Sequence, residues 1–152
     1  MSRLFSAMLQ RPSMELVASC LDSVAEMRNL GEKIWDGMEP RASESLLDFV
    51  ERLLRAEHTP APGLVPESVY WAVLEGTVVG RIALRHYLNA SLEEFGGHIG
   101  YEVRPSFRRK GVATEMLRQV LGLPKAKEIR RLLLTCAPDN MASNKTIVAN
   151  GG

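Results

Sequence analysis

Between Arg104 and Thr114 the sequence reads RPSFRRKGVAT, setting Arg108, Arg109 and Lys110 before a lone glycine, Gly111, which Val112, Ala113 and Thr114 follow. This is chemistry for an anion. A helix that starts here offers unpaired backbone N–H groups and the positive end of its dipole to phosphate oxygens. Gly111 lets those oxygens approach the backbone closely, and Ala113 and Thr114 are small enough to keep the approach open. Each charge-assisted contact from the flanking cations contributes about 1.5–3 kcal/mol when partly shielded. The 19 Lys and Arg are balanced by 18 Asp and Glu, a formal net charge of +1, so the positive character is local. That balance argues against a broad basic face for nucleic acid or membrane. A Walker A loop needs two glycines followed by Lys and Ser/Thr, which this run lacks. The anion it fits best is a pyrophosphate.

The turn must be held by its neighbours. HIGYEV, from His98 to Val103, reads as a strand with His98, Gly100 and Glu102 on one face and Ile99, Tyr101 and Val103 on the other. After the turn, Ala113 to Leu121 is helical by periodicity, with Met116, Leu117, Val120 and Leu121 inward, and Gly122 and Pro124 end or kink it. Farther out, Leu4 to Leu9 reads as a short strand. A helix starts at Pro12-Ser13, carries Met14, Val17, Leu21 and Val24, and stops near Gly31. Leu46, Phe49, Val50, Leu53 and Leu54 mark a second helix, and two β-branched runs around Glu75-Gly76-Thr77 predict an antiparallel hairpin. RLLLTCA reads as a buried central strand and Asn140 to Asn150 as a last helix. The predicted order is β-α-α-β-β-β-α-β-α in one domain over residues 1–152. This is an α/β (α+β) fold with a mixed, mainly antiparallel central sheet flanked by helices.

In this strand-turn-helix context, Arg108-Arg-Lys-Gly111-Val-Ala113 resembles the Arg/Gln-x-x-Gly-x-Gly/Ala signature of the GNAT superfamily of N-acetyltransferases, with Val103-Arg-Pro105 before it as the family's strand end. Downstream, DNMASNKTIVANGG resembles the family's Asn-x-x-Ser/Ala helix ending in Gly, in the form seen among relatives of ribosomal-protein N-terminal acetyltransferases. The resemblance implies acetyl-CoA as donor, its pyrophosphate on backbone N–H groups from Arg109 to Thr114. It implies pantetheine laid along the Gly100–Arg104 strand against the backbone of Val103, with Asn140 and Asn144 on the other side of the arm. The acceptor would be a primary amine, which arrives mostly as ammonium and needs a route for its proton. The family often draws a base from this strand, which makes Glu102 the first candidate and His98 the second. As isolated features the basic run is a solvated helix start, Asn140 an N-cap, and Glu102 a surface residue or a partner for Arg104.

Two departures stand out. Where many members carry a Tyr on the last helix as general acid, this sequence has Ile147, leaving the hydroxyl of Ser143 to bond the CoA sulfur or a nearby water. The family's two further strands have no counterpart after Gly152. The expectation is therefore a sheet cut short after the last helix, with an edge beside RLLLTCA that invites a homodimer. No h-region and no membrane-length apolar run is present, Cys20 and Cys136 lack metal or disulfide spacing, and the expected location is the cytoplasm with no metal. Behind an acetyl-CoA-dependent N-acetyltransferase stands a CoA-binding module without transfer activity, and behind that a binder of another nucleotide or polyanion.

Overall fold

The computed structural model describes residues 7–136 and 140–152. The first strand, β1 (Met8–Gln10), is shorter and later than the predicted 4–9, whose first three residues lie outside the described ones. The first helix, α1 (Val17–Asn29), begins after Pro12-Ser13 because Met14 faces solvent. Its inward stripe is Val17, Cys20, Val24 and Met27. The helix ends in a Schellman motif: Gly31 has φ of +74°, its N–H bonds Arg28 O, and the N–H of Glu32 bonds Met27 O. This turn delivers Glu32 to the site described below. The second helix, α2 (Leu46–Arg55), is capped by Ser45, whose hydroxyl accepts from the Asp48 N–H at 3.0 Å, and buries Phe49, Val50 and Leu53.

The hairpin pairs β2 (Glu67–Leu74) with β3 (Thr77–Arg85). Its loop is only Glu75-Gly76, both at positive φ, since Thr77 already pairs with Leu74. The short helix α3 (Ala90–Glu94), capped by Asn89, has no counterpart in the sequence reading. Then come β4 (Ile99–Val103), a single 3-10 turn (Pro105–Phe107), α4 (Val112–Leu121), α5 (Pro124–Glu128) and α6 (Met141–Ala149). Pro124 does end α4, but it also opens α5, at whose first position its missing N–H costs nothing.

The strands form one antiparallel sheet in the order β1-β2-β3-β4. Met116, Leu117 and Val120 of α4 cover one face, packed on Ile82, Leu84 and Ile99. Residues of α1 and α2 cover the other face over Val69, Trp71, Val78 and Ala83. Burying each large side chain, such as the fully enclosed Trp71 and Phe49, contributes about 1.5–3 kcal/mol. Among the described residues, no helix is long and apolar enough to cross a membrane.

The predicted central strand RLLLTCA is corrected. Residues 131–136 run beside β4 without forming a ladder. One backbone bond joins them to the sheet, from the His98 N–H to Leu133 O at 2.7 Å. The return bond goes to a side chain, the Leu133 N–H donating to His98 Nδ1 at 2.9 Å. The imidazole thus takes the place of a strand carbonyl, and pairing stops. Gly97 allows this approach: its φ is +61°, and a Cβ there would stand 2.3 Å from Leu133 O. Among the described residues β4 is therefore the sheet edge. Arg85 N–H bonds His98 O and Arg104 N–H bonds Val79 O, so the even-numbered residues of β4 face β3. The backbone groups of Ile99, Tyr101 and Val103 face the open side.

Candidate active site

The turn between β4 and α4 carries two left-handed residues, Arg109 at φ +63° and Gly111 at +88°. A non-glycine residue in this region costs on the order of 1 kcal/mol, which the surrounding contacts sustain. The first helical bond is made by the Glu115 N–H to Gly111 O. From Arg109 to Thr114, the N–H groups have no acceptor among the described residues. Such a run of donors on alternating helical and left-handed backbone is an anion-binding concavity. A Cβ at Gly111 would meet nothing within 4 Å, so it is the backbone angle, and the open space beside it, that call for glycine here.

The three cations of the turn have different employment. Arg108 grips Glu32 through both Nη atoms at 2.6 and 2.7 Å and donates from Nε to Val103 O at 3.0 Å, tying the turn to the end of α1 and to β4. Those hydrogen bonds hold the Glu32 carboxyl below its usual range. The Arg108 charge is thereby committed to bracing rather than left for a ligand. Arg109 is exposed and lines the cleft, whereas Lys110 sits over the Phe107 ring at 5.5 Å and does not line it. Sequence reading missed Glu26 and Glu32. Glu26 holds Arg104 at 2.6 Å and the Ser106 N–H at 2.9 Å. These acids stand some 80 residues from their partners, and no local pattern marks them.

The turn opens into a cleft of about 1580 Å³. Residues 111–114 line one wall, the β4 edge from Gly100 to Val103 the floor, and Asn140 and Ser143 at the start of α6 the facing wall. Asn140 caps α6, its Oδ1 accepting from the Ser143 N–H at 3.0 Å. Ser143 Oγ lies 2.6 Å from the Tyr101 hydroxyl, bridging α6 and β4 across the cleft. Asn144 is exposed and does not line the cleft.

The two candidate bases separate. Glu102 lines the cleft and pairs with Arg81, directly opposite on β3, at 3.2 Å; Arg104 is taken by Glu26 instead. Its side chain keeps 24% exposure, enough for water and substrate to reach it. His98 is buried and off the cleft lining. Because Nδ1 accepts the Leu133 N–H, the ring is neutral with its proton on Nε2. Burial, then the nearby Arg85, holds its pKa below the ordinary value.

The four-stranded antiparallel sheet, open at β4 beside a donor-lined turn and covered by helices on both faces, has the mixed α/β architecture of the acetyltransferase (GNAT) fold. Residues 25–148 match the acetyltransferase (GNAT) family, and the chain belongs to that family, which transfers acetyl groups from acetyl-CoA. No curated protein matches the chain. The residues present fit the cosubstrate: the free N–H groups of 109–114 suit a pyrophosphate, and the edge of β4, where among the described residues only the Val103 carbonyl is already taken by Arg108, suits the amides of a pantetheine arm.

Proposed function

We propose that this chain moves the acetyl group of acetyl-CoA to a primary amine of a small molecule, an amino acid or a peptide N-terminus. The observation that carries this is the row of acceptor-free N–H groups from Arg109 to Thr114, opening into the same cleft as the Glu102 carboxylate. The cosubstrate supplies an activated acyl carbon. Backbone N–H groups of the turn bind its diphosphate, and the edge groups of Tyr101 with the N–H of Val103 align its arm with the cleft floor, facing Asn140. Glu102 takes the ammonium proton, directly or through water, and passes it to solvent. The amine nitrogen then bonds the carbonyl carbon, the carbon–sulfur bond breaks as the nitrogen's second proton passes to water, and the thiolate leaves beside Ser143 Oγ, which donates a hydrogen bond to it, and takes its proton from solvent. That hydroxyl supplies a hydrogen bond only, since Ile147 stands where many members carry a tyrosine as general acid.

A second reading, a CoA-binding module without transfer, is favoured by the engagement of Glu102 with Arg81. Free-thiol release from acetyl-CoA over a panel of amines and peptides decides between them. Amine-dependent release supports the enzyme, and CoA binding with no release to any amine supports the module. Cytoplasmic residence, a place near the ribosomal-protein branch and a homodimer through the edge near residues 131–136 complete the proposal. A sedimentation measurement that finds only monomer at high concentration removes the dimer.

A further inference from the structure

Past Glu102 the cleft continues into a chamber that the binding turn does not use. Its floor is one face of β3 and β4. Arg81 and Arg85 project from that face four residues apart, and between them the floor is Gly100. Arg81 makes a single bond to Glu102, and its Nε is buried without an acceptor. Arg85 donates from Nη1 to Gly96 O at 3.1 Å and Gly97 O at 3.0 Å, and its nearest carboxylate, Glu67, stands off at 3.7 Å. Its Nη2 lies over Gly100, 3.1 Å from where a Cβ would be, and has no acceptor among the described residues. Arg41, Arg52 and Arg55 line the chamber from α2 and the loop before it, but each has an acid of its own, Asp36, Glu44 and Glu51 in turn, which leaves Arg81 and Arg85 as the arginines with open donors. Glu44, which grips Arg52 on two nitrogens, does not line the chamber.

We infer that the acceptor is a free amino acid, its carboxylate held by Arg85 across Gly100 and its amino group directed at Glu102. Gly100 and Glu102 are two strand positions apart, about 7 Å. A small ligand whose carboxylate sits over Gly100 therefore lies beside the Glu102 side chain on the same face. Glycine at position 100 leaves the space above the floor that the acid occupies. The amine's role rests on the acetyl-transfer reading; the binding of the carboxylate does not.

The test is calorimetric titration of the CoA-saturated protein with matched sets: an amino acid, its α-carboxamide, and the amine lacking the carboxylate. Small, aliphatic, aromatic and acidic side chains are each represented. The best amino acid is expected to bind about 10-fold or more tightly than its amide, the worth of a charge-assisted pair. Amides that bind as tightly, or amino acids that do not bind at all, overturn the inference. Arg85→Lys should reduce the preference to under about 3-fold with CoA affinity unchanged, because the planar fork is lost. If that variant misfolds, Gly100→Ala displaces the guanidinium from the floor and should do the same; a preference retained in the folded variant overturns the assignment. Thiol release is read separately. If the carboxylate preference is present and no amine is acetylated, the acetyl-transfer reading fails and the carboxylate site stands.

Discussion

The two ends of the cleft are built from different material. At the α4 end the cleft presents unpaired backbone N–H donors of six consecutive residues, fixed by the left-handed angles of Arg109 and Gly111 and by the Arg108–Glu32 brace. At the other end it is lined by side chains, Arg81, Arg85 and Glu102 from the sheet and Arg41, Arg52 and Arg55 from the α2 side. A backbone site depends on one glycine and tolerates most other changes, whereas a side-chain site changes with every substitution.

Substitutions that touch only one end sharpen the comparison. The largest effect is expected from Glu102→Gln: turnover falls by roughly 10²–10⁴-fold, the usual worth of general-base catalysis, while acetyl-CoA affinity is kept. Steady-state rates beside a direct binding measurement show the split. An unchanged rate removes Glu102 as the base, and a parallel loss of CoA affinity places it in the donor half instead.

Next in size is His98→Leu, which leaves the Leu133 N–H without its imidazole acceptor. A stability loss of about 1–3 kcal/mol is expected in chemical denaturation, with little change in rate per folded molecule. A rate lost without a stability loss would return His98 to the chemistry.

A smaller effect belongs to the α2 wall. Bidentate hydrogen bonds from Arg52, together with the Arg41 backbone N–H, hold the Glu44 carboxyl down at about 2. The folded value lies below the unfolded one of about 4.3, so its contribution is fully present above that pH and is lost as pH falls toward 2. Glu44→Gln should lower stability at neutral pH by on the order of 1 kcal/mol after screening, and the gap from the parent should close between about pH 4.5 and 2. Denaturation curves at several pH values test this, and a gap independent of pH contradicts it.

The same division explains what the sequence disclosed. RPSFRRKGVAT could be read because a glycine at a helix start, after a strand, is a local pattern with a local cause. Helices α1, α2, α4 and α6 and the hairpin were legible for the same reason, through periodicity, caps and the Glu75-Gly76 turn. RLLLTCA misled because an apolar run shows that a segment is buried, not what it pairs with; the imidazole of His98 and the close approach of Gly97 settle that from 35 residues away. The brace that Arg108 makes was not legible, because Glu32 lies 76 positions upstream. The arginine chamber was invisible, since its members come from separate elements and none stands in a motif.

The central claim is that the donor is held by backbone geometry at the α4 turn, and calorimetric binding of CoA to the parent, Gly111→Val and Arg109→Ala tests it most directly. Valine at φ +88° is strained and puts a branched side chain beside the free N–H groups, whereas Arg109→Ala removes one exposed charge and leaves those donors in place. The account predicts that Gly111→Val loses about 100-fold or more in CoA affinity while remaining folded, and that Arg109→Ala loses only a few-fold. Near-parental affinity in Gly111→Val, or a larger loss in Arg109→Ala than in Gly111→Val, would contradict it.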